Sequence, residues 1–137
     1  MATLRLEIVT PEGRAYSDDV EMVVLPAVEG EMGVLPMHVP FMTQIKPGEL
    51  VVRKGGDTLH LAVGDGFVEV TQTQVNVLAD MAIEEKAIDE GAVEAAVQRA
   101  REALARKDLG SEESAAVEAS LARSLVQLQL KRRRKHG

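Results

Sequence analysis

The side chains best placed to do chemistry at neutral pH are three histidines, and they are scattered: His38 between Pro36 and Pro40, His60 inside an apolar run, and His136 one residue from the end. A general base or a metal centre needs partners brought to a common point, and no spacing here gathers three ligands. An enzyme built on Glu31, His38 and Asp65 would need a cofactor or metal that nothing in the pattern demands. Gly64-Asp65-Gly66 lacks the Lys and the Ser or Thr of a phosphate loop and reads as a hairpin turn. With no cysteine, the chain has no disulfide, thiolate zinc ligand or thiol nucleophile. The expectation is a chain without catalytic residues, metal or obligatory cofactor.

What stands out instead is the segment Glu29 to Leu50, EGEMGVLPMHVPFMTQIKPGEL, which holds three glycines, three prolines and three methionines in 22 residues. Such a stretch can hold a fixed loop shape while exposing backbone groups and carboxylates. Glu29 and Glu31 read either as solvated turn residues or as anchors for basic side chains of a partner. Met32, Met37 and Met42 suit irregular contacts, within the core or at an interface, and core filling is expected of at least one of them. His38 is expected to make a local hydrogen bond or a partner contact.

The elements that must hold this segment divide in two near Asp80. Up to Asp80 there are 5 basic against 12 acidic residues, a balance of −7; beyond it there are 11 against 10, a balance of +1. All 5 prolines and all 3 aromatics precede the boundary, and alanine dominates after it. In the first part LRLEIV puts Leu4, Leu6 and Ile8 on one face, DTLHLAV, GFVEV and QVNVLA repeat the alternation, and VEMVVLP reads as a strand covered on both faces. Short strands punctuated by Pro11-Glu12-Gly13, Pro47-Gly48 and Gly55-Gly56-Asp57 predict an antiparallel β-sandwich or flattened barrel with a Val, Leu, Ile and Met core. The fold class is α+β: a β-sandwich over residues 1–82 followed by an α-helical hairpin over residues 83–137. The first residues do not match a signal peptide, and no apolar run approaches the roughly 20 residues of a membrane span, so the chain is expected to be soluble and to reach a membrane only through a complex.

Asp89 is expected to cap a first helix running to about Lys107, with Val93, Ala96, Val97, Ala100, Ala103 and Leu104 on its apolar side. Gly110 stops it and Ser111-Glu112-Glu113 restarts a second, whose stripe is Val117, Leu121, Leu125 and Leu128. An alanine-rich contact buries little area, so the hairpin is expected to be separable. The second helix ends in Lys131-Arg132-Arg133-Arg134-Lys135, more positive charge than a helix C-terminus needs. As an alternative, that run could make the chain a nucleic-acid or protein-binding adaptor. The acidic balance and the lack of stacking platforms speak against nucleic acid.

The run EGEMGVLPMHVP, the following TQIKPGEL, and then GFVEV and VNVLAD, in this order and at these separations, resemble the N-terminal domain of the epsilon subunit of F-type ATP synthases. The resemblance covers nearly the whole chain. It implies a non-catalytic central-stalk subunit at the cytoplasmic face of a bacterial plasma membrane, which couples proton flow to ATP synthesis. Its partners would be the gamma subunit and the c-subunit ring, with Glu29, Glu31, Met32, His38 and Met42 at that interface. The C-terminal helices would restrain ATP hydrolysis by extending against acidic segments of the catalytic subunits, where Arg123 and the basic run Lys131 to Lys135 would stabilise the extended state. Some bacterial members bind ATP through a motif of Ile or Leu, Asp, two variable residues, Arg and Ala. Here Ile88 and Asp89 match, Ala92 stands in place of the Arg, and Arg99 keeps a basic group two turns on, so ATP binding is expected to be weak or absent.

Overall fold

The computed structural model describes residues 2–106 and 108–136, without the side chains of residues 135 and 136. The chain forms β1 Leu4–Thr10, β2 Gly13–Val20, β3 Met22–Ala27, β4 Gly30–Val34, β5 Phe41–Ile45, β6 Gly48–Lys54, β7 Asp57–Val63, β8 Gly66–Val70, β9 Gln74–Ala79 and β10 Ala82–Glu84. A 3-10 turn Glu85–Ala87 leads into α1 Glu90–Ala105 and α2 Ser111–His136. The strands follow one path, β10-β7-β6-β3-β5-β8-β9-β1-β2, with β4 paired to β3. β3 is the hinge of this path, pairing β6 through Met22–Val24 and meeting β5 only at Ala27. The result is an almost closed, flattened barrel. Its strand pairs are antiparallel except β1 with β9, which run parallel in register Leu6 to Val75 and Ile8 to Val77.

The period-two patterns decide which side chains fill the barrel. Leu4, Leu6 and Ile8 are buried together with Val23, Leu25, Leu50, Val52, Leu61, Val68, Val75 and Val77. Tyr16 and Phe41 only border this core and Phe67 faces out, so the interior is aliphatic. Between β2 and β6, Glu21 N–H donates to the Arg53 carbonyl, Gly55 N–H donates to the Glu21 carboxylate, and Lys54 pairs with Asp18. The bond from Lys54 holds the Asp18 carboxyl below its ordinary range. The stability this pair contributes is therefore present above that range and is lost as pH falls through the lowered value.

Two turns are governed by glycine geometry. Gly55 and Gly56 both have positive φ, +56° and +88°, as a two-residue hairpin between right-twisted strands requires. Gly64-Asp65-Gly66 is not the hairpin turn the sequence suggested, because β7 and β8 lie apart in the strand order. It is a corner where the chain passes from β7 to β8, which β6, β3 and β5 separate in the strand order. A Cβ at Gly64 would fall 1.7 Å from Asp80 Oδ1, and one at Gly66 would fall 1.8 Å from the Leu78 carbonyl oxygen. Close approach, not turn type, selects glycine at both positions.

Asp89 caps α1, its Oδ1 accepting from Ala92 N–H at 3.1 Å. Helix α1 ends at Ala105, two residues short of the sequence expectation. The two helices form an antiparallel hairpin lying against β7 and β6. Val93, Val97 and Ala100 of α1 are buried, as are Leu128 and Leu130 of α2, over a floor that includes Ala62 and Ile88. Leu128 belongs to the expected stripe, whereas Leu130 does not. Both are buried because this end of α2 packs against α1 on one side and against β7, β6 and the 3-10 turn on the other. The alanine-rich contact anticipated from sequence describes only the distal half of the hairpin; its proximal half is anchored by leucine.

Candidate functional site

The outward faces of β5, β8, β9 and β1 carry an unusual density of apolar side chains for an exposed sheet. Register places Phe67 beside Leu78 and Leu78 beside Val9, with Met42 one strand further out opposite Glu69. Met42 is 70% exposed, Leu78 59% and Phe67 51%. Alternation explains why: Val68 and Val77 point into the core, so their neighbours must point out. These residues line a groove of about 360 Å³ whose polar members are Glu7, Glu69 and Asn76. Glu7 is half-buried: its Oε2 is buried without a hydrogen-bond partner, and its other oxygen lies 3.9 Å from both Arg5 and Arg14. An apolar face with a poorly satisfied carboxylate suits a partner surface that brings apolar side chains and a cation.

The Gly- and Pro-rich segment forms the adjoining end of the barrel. Glu29, Glu31, Met32 and Met42 all line a second hollow of about 370 Å³ together with Phe41 and Thr43. Glu29 and Glu31 are exposed, while Met32 packs against the core and takes the gap-filling role expected of at least one methionine. Met37 and Met42 are exposed. In the loop between β4 and β5, Met37 adopts φ +69°, its N–H donating to the Gln72 carbonyl at 2.8 Å, which leaves Leu35, Met37 and Val39 protruding. His38 makes the local contacts anticipated for it: its Nδ1 lies 2.8 Å from the Val39 carbonyl oxygen and its ring 5.2 Å from that of Phe41. Among the described residues, no group of His, Asp and Glu could hold a metal ion.

The possible nucleotide residues do not converge. Ile88 is buried in the hairpin floor and Asp89 is committed to the cap of α1. Arg99 lies about 15 Å further along the helix axis, beside a hollow lined by Ala96, Ala100, Ala103, Ala116, Val117 and Ser120. By contrast, the basic residues of α2 are engaged. Arg123 pairs with Asp80 at 3.3 Å, Lys131 with Glu85 at 3.7 Å, Arg132 with Glu90 and Glu94 at 3.1 Å each, and Arg133 with Glu49. Three of the five residues of the run, Lys131, Arg132 and Arg133, thus have carboxylate partners on the 3-10 turn, α1 and β6. Arg134 lines a small hollow with His60 and Lys86, and Lys135 lies outside the described side chains.

The family model for the ATP synthase delta/epsilon chain β-sandwich domain matches residues 3–85. The chain is 42% identical over 137 residues to the ATP synthase epsilon chain of Dehalococcoides mccartyi, across 99% of this chain and 98% of that one. The chain belongs to the ATP synthase epsilon chain family. A second epsilon chain, from Alkalihalophilus pseudofirmus, is 45% identical over 82 residues, which span 60% of this chain and 62% of its own length. In structure the chain is similar to one from the Euglena gracilis mitochondrial ATP synthase, with a TM-score of 0.73 at 23% identity, covering 92% of this chain and 79% of that chain. At that identity the likeness shows the fold alone.

Within this epsilon-family fold, sequence reasoning singled out Met42 but missed Phe67, Leu78 and Val9 beside it. A signal existed. GFVEV and QVNVLA are apolar at positions of both parities, and a strand facing water on one side has no local reason to place Phe67 or Leu78 outward.

Proposed function

We propose that the chain is a non-catalytic rotor subunit of the central stalk of a bacterial proton-translocating ATP synthase, held peripherally at the cytoplasmic face of the plasma membrane. The observation that carries this reading is 42% identity to an epsilon chain in an alignment covering 99% of this chain. The apolar face of Val9, Met42, Phe67 and Leu78 docks the gamma subunit, with Glu7 receiving a cation. The corner of Glu29 and Glu31 meets basic side chains of the c ring, while Met32 supports it from within and His38 sits at its edge. Exposed carboxylates on a glycine- and proline-fixed end contribute complementarity and orientation more than affinity. Co-purification from detergent-solubilised membranes tests the reading: the tagged chain should bring down synthase subunits.

The C-terminal helices restrain ATP hydrolysis when they leave the sandwich and reach the catalytic subunits, and they fold as a module distinct from residues 1–82. The sheet itself continues to Glu84, so a chain ending at Ala87 keeps every strand. Such a chain should show a β-rich circular dichroism spectrum and still assemble, and the resulting enzyme should hydrolyse ATP about twofold or more faster than enzyme with the full chain. A chain ending at Gly110, lacking α2 alone, should release hydrolysis equally. Equal rates for full and shortened chains would confine the subunit to coupling and assembly.

Nucleotide plays little part in this scheme. A phosphate-binding guanidinium contributes about 1.5–3 kcal/mol, and Ala92 cannot supply it, while Asp89 is occupied in capping. Calorimetric titration of the chain with ATP should give no heat at micromolar nucleotide; a micromolar dissociation constant would overturn the expectation.

A further inference from the structure

We propose that an electrostatic latch along α2 holds this helix against the sandwich and against α1, so that rising ionic strength releases it. The latch is a property of the chain alone and stands or falls independently of the proposed role in the synthase. Its cations are Arg123 at the middle of α2 and Lys131, Arg132 and Arg133 near its C-terminal end. Its carboxylates come from four places in the chain: Asp80 before β10, Glu85 in the 3-10 turn, Glu90 and Glu94 on α1, and Glu49 on β6. Lys131 Nζ also donates to the Glu85 backbone carbonyl at 3.2 Å. Glu49 is fixed from the other side by His60, whose Nδ1 lies 2.5 Å from its second oxygen. The pairs thus tie α2 to the sheet, to the turn and to α1 at once.

Two features make these pairs decisive for docking. The distal half of the hairpin is alanine against alanine, valine and serine, with a hollow of about 320 Å³ between the helices, and offers little attraction. At the proximal end α2 adds Leu128 and Leu130, with half-buried Leu121, Leu125 and Val126, to a cluster with Ala62, Ile88, Val93 and Val97. Several ion pairs acting together add to that apolar contact and, unlike it, weaken as salt rises. The Arg132 and Arg133 side chains are 46% and 60% exposed, so salt reaches them readily. Screening lengths fall from about 30 Å at 0.01 M to about 3 Å at 1 M. Each exposed pair shifts an equilibrium by about 1.4- to fivefold, so the set of five changes the docked-to-undocked ratio by at least about fivefold.

The chain contains no cysteine, so donor and acceptor dyes can be placed cleanly through Asp57→Cys and Glu118→Cys in the full-length protein. Energy transfer would be recorded in KCl from 0.02 to 1 M, for the wild-type background and for three variants. In wild type the docked-to-undocked ratio should fall by about fivefold or more over that range. Arg132→Gln with Arg133→Gln should undock the hairpin at low salt and flatten the salt response. Lys131→Glu should undock it too, and adding Glu85→Lys should restore docking. Leu128→Ala should lower the docked fraction while keeping the salt slope, and it brings the equilibrium into range if wild type is docked throughout. A docked fraction that is unchanged or rises with KCl in both the wild-type and Leu128→Ala backgrounds would overturn the latch, as would failure of the Glu85→Lys exchange to restore docking.

Discussion

Met42→Lys together with Leu78→Lys should weaken binding of this chain to its stalk partner by a hundredfold or more without unfolding it. Both side chains are more than half exposed, and Lys at position 42 would face Glu69 across the β5–β8 pair, so the folded state loses little. In the bound state the same ammonium groups would be trapped against apolar surface, where an unpaired charge is strongly unfavourable. A hot-spot side chain at the centre of an interface costs about 2 kcal/mol or more when lost, and burying an unpaired ammonium adds to that cost, so the two changes together exceed a factor of about 100. A Glu29→Gln, Glu31→Gln double variant should act mainly on association rate and its salt dependence, because exposed carboxylates steer encounter more than they hold. Surface-binding kinetics with purified gamma subunit would separate the two. Unaltered affinity of the Met42→Lys, Leu78→Lys chain would move the docking face elsewhere on the barrel.

Gly66→Ala should destabilise the barrel by about 3–5 kcal/mol, a large share of the 5–15 kcal/mol that ordinarily holds a domain together. The added methyl group would lie 1.8 Å from the Leu78 carbonyl oxygen and 2.8 Å from Ala79 Cα. Those atoms are backbone of β9 in register with Gly66, so they cannot move without breaking the β8–β9 pairing that also presents Phe67 and Leu78. Gly91→Ala is the control: its methyl group would meet Asp89 Oδ1 at an ordinary 3.6 Å inside helix α1. It should be neutral or stabilising by up to about 1 kcal/mol. Urea denaturation of the two variants decides; a Gly66→Ala midpoint equal to wild type would mean that the corner relaxes freely.

Much of this fold was legible because strand alternation writes burial directly into sequence. Leu4, Leu6 and Ile8 read as an inward face and are buried to within 2% of complete. Asp89 read as a cap and caps. What could not be read depended on neighbours distant in sequence. The Gly64 to Gly66 corner looked like a hairpin because local composition cannot distinguish a turn from a crossover forced by Asp80 and Leu78. Leu130 fell outside a single helical stripe because two different elements cover the end of α2. The partners of Lys131, Arg132 and Arg133 could not be read because they lie on β6, the 3-10 turn and α1, up to 84 positions away. Of the site, the segment around Glu29 and Glu31 was visible from its composition, whereas the apolar sheet face was hidden by strands that read as ordinary core.

The central claim is that this chain works as a stalk subunit through one face of its sandwich. The most direct measurement is quantitative co-purification from solubilised membranes of the source organism, comparing the tagged wild-type chain with the Met42→Lys, Leu78→Lys chain at equal expression. The account predicts that the wild-type chain recovers gamma, c and the catalytic subunits together and that the variant recovers at least tenfold less of each. Recovery of no synthase subunit by the wild-type chain would contradict it.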